Sequence, residues 1–340
     1  MKKLKLLDKI IFLLNSVAAA LLLLSYFLPF VAPKTFAILS VLSLTVPFLI
    51  VLNLIFFLYW LLKLKKQFLV SLLILLIGYV SFGSLYAFST SEQIDDKNSL
   101  FIMNYNVRLF NLYNWIDQDH IETKIVDLIK TQSPDILSLQ EYHPHENIDL
   151  SFFRYKFEKL SGTKTKYGQA IFSQYPIVNS GSIEFPHTSN NAIFADIVKD
   201  SDTIRIYNIH LESMRINANV ENLKKEDSER LLKRMGNTFK MQQSQAELFL
   251  LHKNLGKYKS IVTGDFNNTA FSYVYKEIKG DFNDAFKDAG NGFGRSYDFK
   301  FFPVRIDFIL TDEAFKTNSF TTFDEKYSDH YPIMANVSLK

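Results

Sequence analysis

Cysteine is absent from all 340 residues, which excludes a disulfide framework, a thiolate metal site and a cysteine nucleophile. Charge is scarce over the first quarter of the chain: residues 1–90 hold no arginine and a single acid, Asp8, beside eight lysines. There is no H-E-x-x-H or comparable histidine pair, so nothing suggests a His-rich zinc centre. What is present excludes disorder, since 48% of residues are apolar and 21% charged,. The overall pI of about 8.7 averages two unlike parts. With 38 basic and 35 acidic residues in total, the lysines of the first ninety leave the remainder with an acidic excess, which argues against a basic nucleic-acid surface.

Three apolar runs fill residues 1–88. Positions 10–32, 35–62 and 67–88 are each longer than the stretch needed to cross roughly 30 Å of hydrocarbon, and predict three transmembrane helices. The first run is too long for the roughly 7–15-residue core of a cleaved signal peptide. Lysines cluster before the first run and between the second and third. The positive-inside rule therefore predicts a multi-pass inner-membrane protein whose remaining residues lie on the non-cytoplasmic side, the periplasmic face in a Gram-negative cell.

Residues 89–99 read as a polar linker, and residues 100–340 as a separate domain. Short apolar runs punctuated by turn residues predict strands near 100–107, 135–140, 168–173, 192–199, 203–210, 258–264, 304–311 and 332–339. Helices are predicted near 118–131, before Ser133-Pro134, and 218–254, the latter broken at Gly236. Many strands with few intervening helices point to a layered α+β domain rather than a strict βαβ repeat. The cluster of lysines and arginines over 224–234 alternates with acids and reads as a solvated helix face.

Polar residues gather where these strands end: Asn104 to Arg108, Gln140-Glu141, Asn208 to Leu211, Gly264 to Asn267, Arg305 to Asp307, and Ser328 to His330. Strand ends on a rigid scaffold are where catalytic groups usually lie. The set is rich in oxygen donors, as Mg²⁺ or Mn²⁺ requires.

The ordered succession N-V-R, L-Q-E, N-x-H-L, G-D-F-N, R-I-D and S-D-H resembles the endonuclease/exonuclease/phosphatase family over residues 99–340. The resemblance implies a four-layer α/β/β/α sandwich with the site at one edge of paired sheets. It implies Asn106, Glu141 and Asp329 as metal-side residues, with Mg²⁺ or Mn²⁺ as the ion. It implies Asp265 and Asn267 as the pair orienting the attacking water, His330 as the contact to the scissile phosphate, Asp307 as its orienting partner, and His210 as a second active-site histidine. Arg108 is assigned to a phosphate oxygen by adjacency.

A phosphodiester is anionic and repels hydroxide, so a cation must first neutralise it and stabilise the charge that develops. His210 is expected to protonate the leaving oxygen. The predicted activity is that of a membrane-anchored phosphodiesterase, a nuclease in its simplest form. A phospholipid or sphingolipid head-group phosphodiesterase is the alternative, and a non-catalytic tethered binding protein a third reading. The expected partners are a phosphodiester substrate and the bilayer. Aromatic residues at 151–157 and 293–302 would touch lipid or bases if exposed, and are core if buried.

Overall fold

Uncharged sequence folds into helices at the N-terminus. The computed structural model describes residues 4–79, 83–89, 99–215, 227–299 and 302–340. Helix α1 (Leu6–Ser25) is followed by a 3-10 turn (Leu28–Phe30). Helix α2 (Ala37–Val41) passes through a second such turn (Leu42–Thr45) into α3 (Val46–Leu62). The units Leu6–Phe30 and Ala37–Leu62 are long and apolar enough to cross a membrane.

The predicted third span, 67–88, is not such a helix. Its described helix, α4 (Phe68–Ile77), has ten residues, about 15 Å at 1.5 Å per residue. Its far end is the strand β1 (Ala87–Phe88), which pairs with Asn291–Gly292. Hydropathy summed along the run does not register where the backbone changes hydrogen-bond partner. The three helices are tied by polar groups: Asn15 Nδ2 donates to Ser71 Oγ at 2.6 Å, and Asn53 Nδ2 to the Ala18 carbonyl at 3.2 Å.

Beyond residue 99 the alternation of period two builds strands β2 (Ser99–Asn106), β3 (Ile136–Tyr142), β4 (Tyr155–Ser161), β5 (Tyr167–Ser173), β6 (Ile177–Glu184), β7 (Asn191–Lys199), β8 (Asp202–His210), β9 (Lys259–Asp265), β10 (Asn283–Asp284), β11 (Asn291–Gly292), β12 (Asp307–Thr311), β13 (Phe315–Thr322) and β14 (Ile333–Leu339). They form two six-stranded sheets, ordered β10-β12-β9-β8-β7-β6 and β13-β14-β2-β3-β5-β4. The pairs β2–β3 and β8–β9 are parallel and the remaining neighbours antiparallel.

Ile102, Ile136, Ile206, Ile261 and Ile309 meet between the sheets. Each such side chain contributes about 1.5–3 kcal/mol when fully buried. The alternate residues Met103, Leu137 and Leu139 face outward onto α5 (Ile121–Gln132). Tyr207, Val262 and Phe308 face outward onto α6 (Ser228–Asn254) and α7 (Tyr273–Lys279). The domain is thus mixed α and β with two sheets, an arrangement consistent with the predicted sandwich.

The predicted helix 218–254 is described from Ser228, with residues before 227 outside the described set, and it runs unbroken through Gly236 to Asn254. Glycine serves there for close approach: a Cβ at Gly236 would lie 3.1 Å from the Ala37 Cβ. The contact joins α2 to α6, with Val41, Met235 and Phe239 in one apolar cluster and Lys34 paired to Glu247. Most of the predicted linker, 90–98, also lies outside the described residues. Arg305, in the predicted R-I-D run, forms a buried ion pair with Asp284, Nη1 to Oδ2 at 2.9 Å.

Candidate active site

The space between the sheets changes in character along the parallel strands. The isoleucines give way to Ser138 and Thr263, whose hydroxyls bond across the gap at 2.7 Å. Next come the amides Asn104, Gln140 and Asn208, where Gln140 Nε2 donates to Asn104 Oδ1 at 2.8 Å and to Asn208 Oδ1 at 2.5 Å. Beyond them stand the charged groups. Period-two alternation places Asn104 and Asn106 on one inner face, and likewise Asn208 with His210 and Thr263 with Asp265. Charge therefore appears only at the rim, where a strand's backbone still holds it rigidly.

Glu141 breaks the alternation. Pairing of β3 with β5 shifts between Leu139 and Tyr142, and Glu141 has a positive φ of 51°. This irregularity lets Glu141 follow Gln140 into the same cleft. Gly264 has φ 147°, and a Cβ there would lie 2.0 Å from the Ile209 carbonyl oxygen. Only glycine lets β8 and β9 close at this level, bringing His210 opposite Asp265,.

Asp265 is the hub. Its Oδ1 accepts from the Asn267 backbone N–H at 2.7 Å, and its Oδ2 accepts from Asn106 Nδ2 at 3.0 Å. The same Oδ2 lies 3.5 Å from His330 Nε2 and 3.7 Å from His210 Nε2. Asn267 Nδ2 donates to the Leu211 carbonyl at 3.0 Å, and Gln242 beneath the loop donates to the Glu212 carbonyl at 2.8 Å. Asp307 Oδ2 is 2.9 Å from His330 Nδ1. Because a carboxylate only accepts, that nitrogen carries a proton. The Asp307 backbone N–H is held in turn by Ser296 Oγ at 3.0 Å.

The pKa values of the two histidines are shifted in opposite directions. Burial alone disfavours the His330 cation, but the negative charges of Asp307 and Asp265 outweigh it and raise its pKa,. For His210, burial and the neighbouring His330 act in the same direction and push the pKa down to about 3. This shift favours the neutral form of His210, whereas the sequence predicts it as the proton donor to the leaving oxygen.

Burial raises the Glu141 pKa, and the charge of Asp329 raises it further. Its carboxylate meets Asn106 Nδ2 at 3.4 Å. Asp329 Oδ2 pairs with Arg108 Nη1 at 3.2 Å, and Arg108 stacks over Trp115 at 4.5 Å. All nine predicted site residues lie in this neighbourhood. Missed from sequence were Trp115, Ser296 and Tyr297, whose ring meets His330 edge-on at 5.1 Å. None of the three carries a motif, and only chain folding brings them near.

Among the described residues, ligand-type atoms of Asp265, Asp307 and His330 lie within 4.8 Å of one another, a group that could hold a metal ion. The His330 ring, however, faces a carboxylate at each nitrogen, which favours an imidazolium in that space. Glu141 is the less compensated group: a desolvated carboxylate beside a second one gains most from a cation. Together with Asn106 and Asp329 it offers hard oxygen donors, and the residues fit a divalent ion.

Two packed sheets with carboxylates and imidazoles gathered at one edge define the class of this protein. The chain belongs to the endonuclease/exonuclease/phosphatase family, which matches residues 103–330; members are generally phosphoesterase or nuclease hydrolases that use a divalent metal. Residues 8–85 match a domain of unknown function, DUF8431. No curated protein sequence matches the chain. Solved structures share the fold. An endonuclease/exonuclease/phosphatase from Bacteroides vulgatus is 18% identical, with TM-score 0.55 over 72% of this chain and all of that one. The human Nocturnin catalytic domain with bound sulfate anion is 20% identical, with TM-score 0.52, covering 72% and 94%. TDP2 from D. rerio, complexed with single strand DNA product, is 16% identical, with TM-score 0.53, covering 72% and 100%.

Proposed function

We propose that this protein is a membrane-anchored, divalent-metal-dependent phosphodiesterase that cleaves a P–O bond by in-line attack of water. The observation carrying this reading is the convergence of Asn106, His210, Asn267 and His330 on the single carboxylate of Asp265. A non-catalytic binding protein has no need for such a desolvated carboxylate.

In this reading Asn106, Glu141 and Asp329 hold the ion. The bound cation supplies neutralisation of the phosphate and of the charge that develops on it. Asp265 and Asn267 orient the attacking water. Asp307 holds the His330 ring, which in its charged form donates to a phosphoryl oxygen or to the leaving oxygen. The neutral His210 ring positions Asp265 and the water, and Arg108 binds a non-bridging oxygen. Nucleic acid and lipid head groups are both phosphodiesters open to this chemistry. The acidic excess beyond residue 90 works against tight duplex binding.

The test is turnover of bis(p-nitrophenyl) phosphate by the full-length chain in detergent. Mg²⁺ or Mn²⁺ is expected to support hydrolysis and EDTA to lower it at least about 100-fold, with recovery when the ion is returned. Equal rates in EDTA would refute the metal, and no hydrolysis with either ion would refute the enzyme.

The anchor is read from the same helices. Only 28% of the Leu6–Phe30 window and 33% of the Ala37–Leu62 window are buried, whereas core helices of a soluble protein are covered. Residues 1–88 would form the membrane part and 100–340 the catalytic domain; two crossings, in place of the three the sequence predicts, return the chain to the lysine-rich side, so that domain would face the cytoplasm,. Because the chain lacks cysteine, Ser151→Cys creates one thiol at an exposed site. Labelling there by an impermeant maleimide is expected only after lysis; labelling of intact cells would reverse the orientation.

A further inference from the structure

Two cavities meet at Glu141, and their walls differ. One, of about 670 Å³, reaches from the catalytic groups Glu141, Asp265 and His330 to Leu44, Pro47 and Phe48 of the N-terminal helical region, with Met235 and Phe302 among its other apolar lining residues. The other, of about 560 Å³, mixes polar groups, among them Gln169, Thr188, Asn190 and His210, with the rings of Tyr113 and Trp115. Glu141, Ser213 and Arg215 line both.

We infer that the substrate is an amphiphilic phosphodiester, a long-chain lipid joined through phosphate to a polar head group. Its phosphorus sits at the junction, its head in the polar cavity and its chain in the apolar one. This rests on the phosphodiesterase reading and names the substrate class for the same site.

Three observations support it. First, the apolar wall is not supplied by the catalytic domain alone. Leu44, Pro47 and Phe48 belong to the segment that forms the second membrane-length unit, so the cavity adjoins residues that the bilayer would solvate.

Second, that wall is held in place. Phe48 packs on Phe302 with ring centroids 4.5 Å apart, the Lys34 backbone N–H donates to Gln243 Oε1 at 2.8 Å, and Ala37 lies against Gly236. Third, large apolar side chains on the helices, among them Leu24, Phe27, Phe30, Ile38 and Ile55, are exposed. Exposed apolar surface of this kind suits contact with a bilayer.

The reaction forms a bond between the water oxygen and phosphorus and breaks one P–O ester bond. The electron pair of the broken bond goes to the leaving oxygen, which takes a proton. The products are a phosphate monoester and an alcohol. One of them keeps the long chain, and the other leaves through the polar cavity.

Each buried methylene of a ligand strengthens binding about four-fold, so chain length is the variable to test. The full-length protein in detergent micelles with Mg²⁺ is assayed on methyl, butyl and octyl p-nitrophenyl phosphate and on a single-stranded DNA oligonucleotide. We expect kcat/KM to rise about 100-fold or more from methyl to octyl. In Leu44→Gln and in Met235→Gln the octyl-to-methyl ratio is expected to fall at least ten-fold. Circular dichroism of each variant checks folding, and two positions are used so that one misfolded variant does not decide the matter.

A chain-length gain that survives both substitutions reflects partition into micelles and overturns the proposal. So does a flat series, with or without cleavage of the oligonucleotide, while the phosphodiesterase reading then stands on the hydrolysis itself. No hydrolysis of any ester or of the oligonucleotide sinks both readings.

Discussion

Asp265→Asn is expected to lower phosphodiester turnover about 10³-fold or more while leaving the fold intact. The amide has the size of the carboxyl, so the sheets have no reason to move. What changes is what the group can accept. In the native protein Asp265 Oδ2 accepts a hydrogen bond from Asn106 Nδ2 and faces both histidine Nε2 atoms. An amide presents either an NH₂ to these donors or the reverse on Oδ1, where the Asn267 N–H needs an acceptor at 2.7 Å. One donor is left unsatisfied in either orientation, at a cost of about 1–3 kcal/mol. The negative charge that orients water is also lost, and with it much of what holds His330 protonated.

Stability falls less than activity, because burial already disfavours the ionised Asp265 and raises its pKa. A neutral amide removes that desolvation penalty. Purified variant and wild type are compared for kcat on bis(p-nitrophenyl) phosphate and for thermal unfolding. A variant within ten-fold of wild-type turnover would remove Asp265 from the reaction.

Gly264→Ala has the opposite profile. It is expected to cost at least about 4 kcal/mol, the range reserved for a named structural conflict. The added methyl would stand 2.0 Å from the Ile209 carbonyl oxygen and 2.7 Å from its nitrogen. Both are backbone atoms in a central parallel pair, so no side-chain rotation relieves the contact, and φ 147° is unfavourable to alanine in any case,. Relief means parting β8 from β9, which separates His210 from Asp265, so residual activity falls too. Thermal denaturation of the full chain, followed by circular dichroism, measures the loss. A shift of under about 2 °C would show that the strands yield without cost.

Much of the site was legible because strand periodicity is short and local. Asn106, His210, Asp265 and Asp307 sit at strand ends that alternating apolar residues mark in the sequence. The strands β4, β6 and β13 were not legible. Their stretches, such as Tyr155–Ser161 and Ile177–Glu184, lie at or near sheet edges and carry exposed polar residues in place of a clean apolar alternation. The helix through Gly236 was also misread: glycine there reflects the closeness of Ala37, a contact nearly two hundred positions away. The third apolar run illustrates the limit of hydropathy, which measures affinity for hydrocarbon but not where a helix stops.

The order of residue types along the chain determined the family, the sheet-building rhythm and the identity of the reactive groups, since these depend on neighbours within a few positions. Tertiary structure alone decided that the pKa of His330 is raised while that of His210 is lowered, because ionisation follows burial and the charges brought in from other strands,. It alone decided that the N-terminal helices border the catalytic cleft, because a contact such as Phe48 on Phe302 depends on how separate elements pack, which no local pattern encodes.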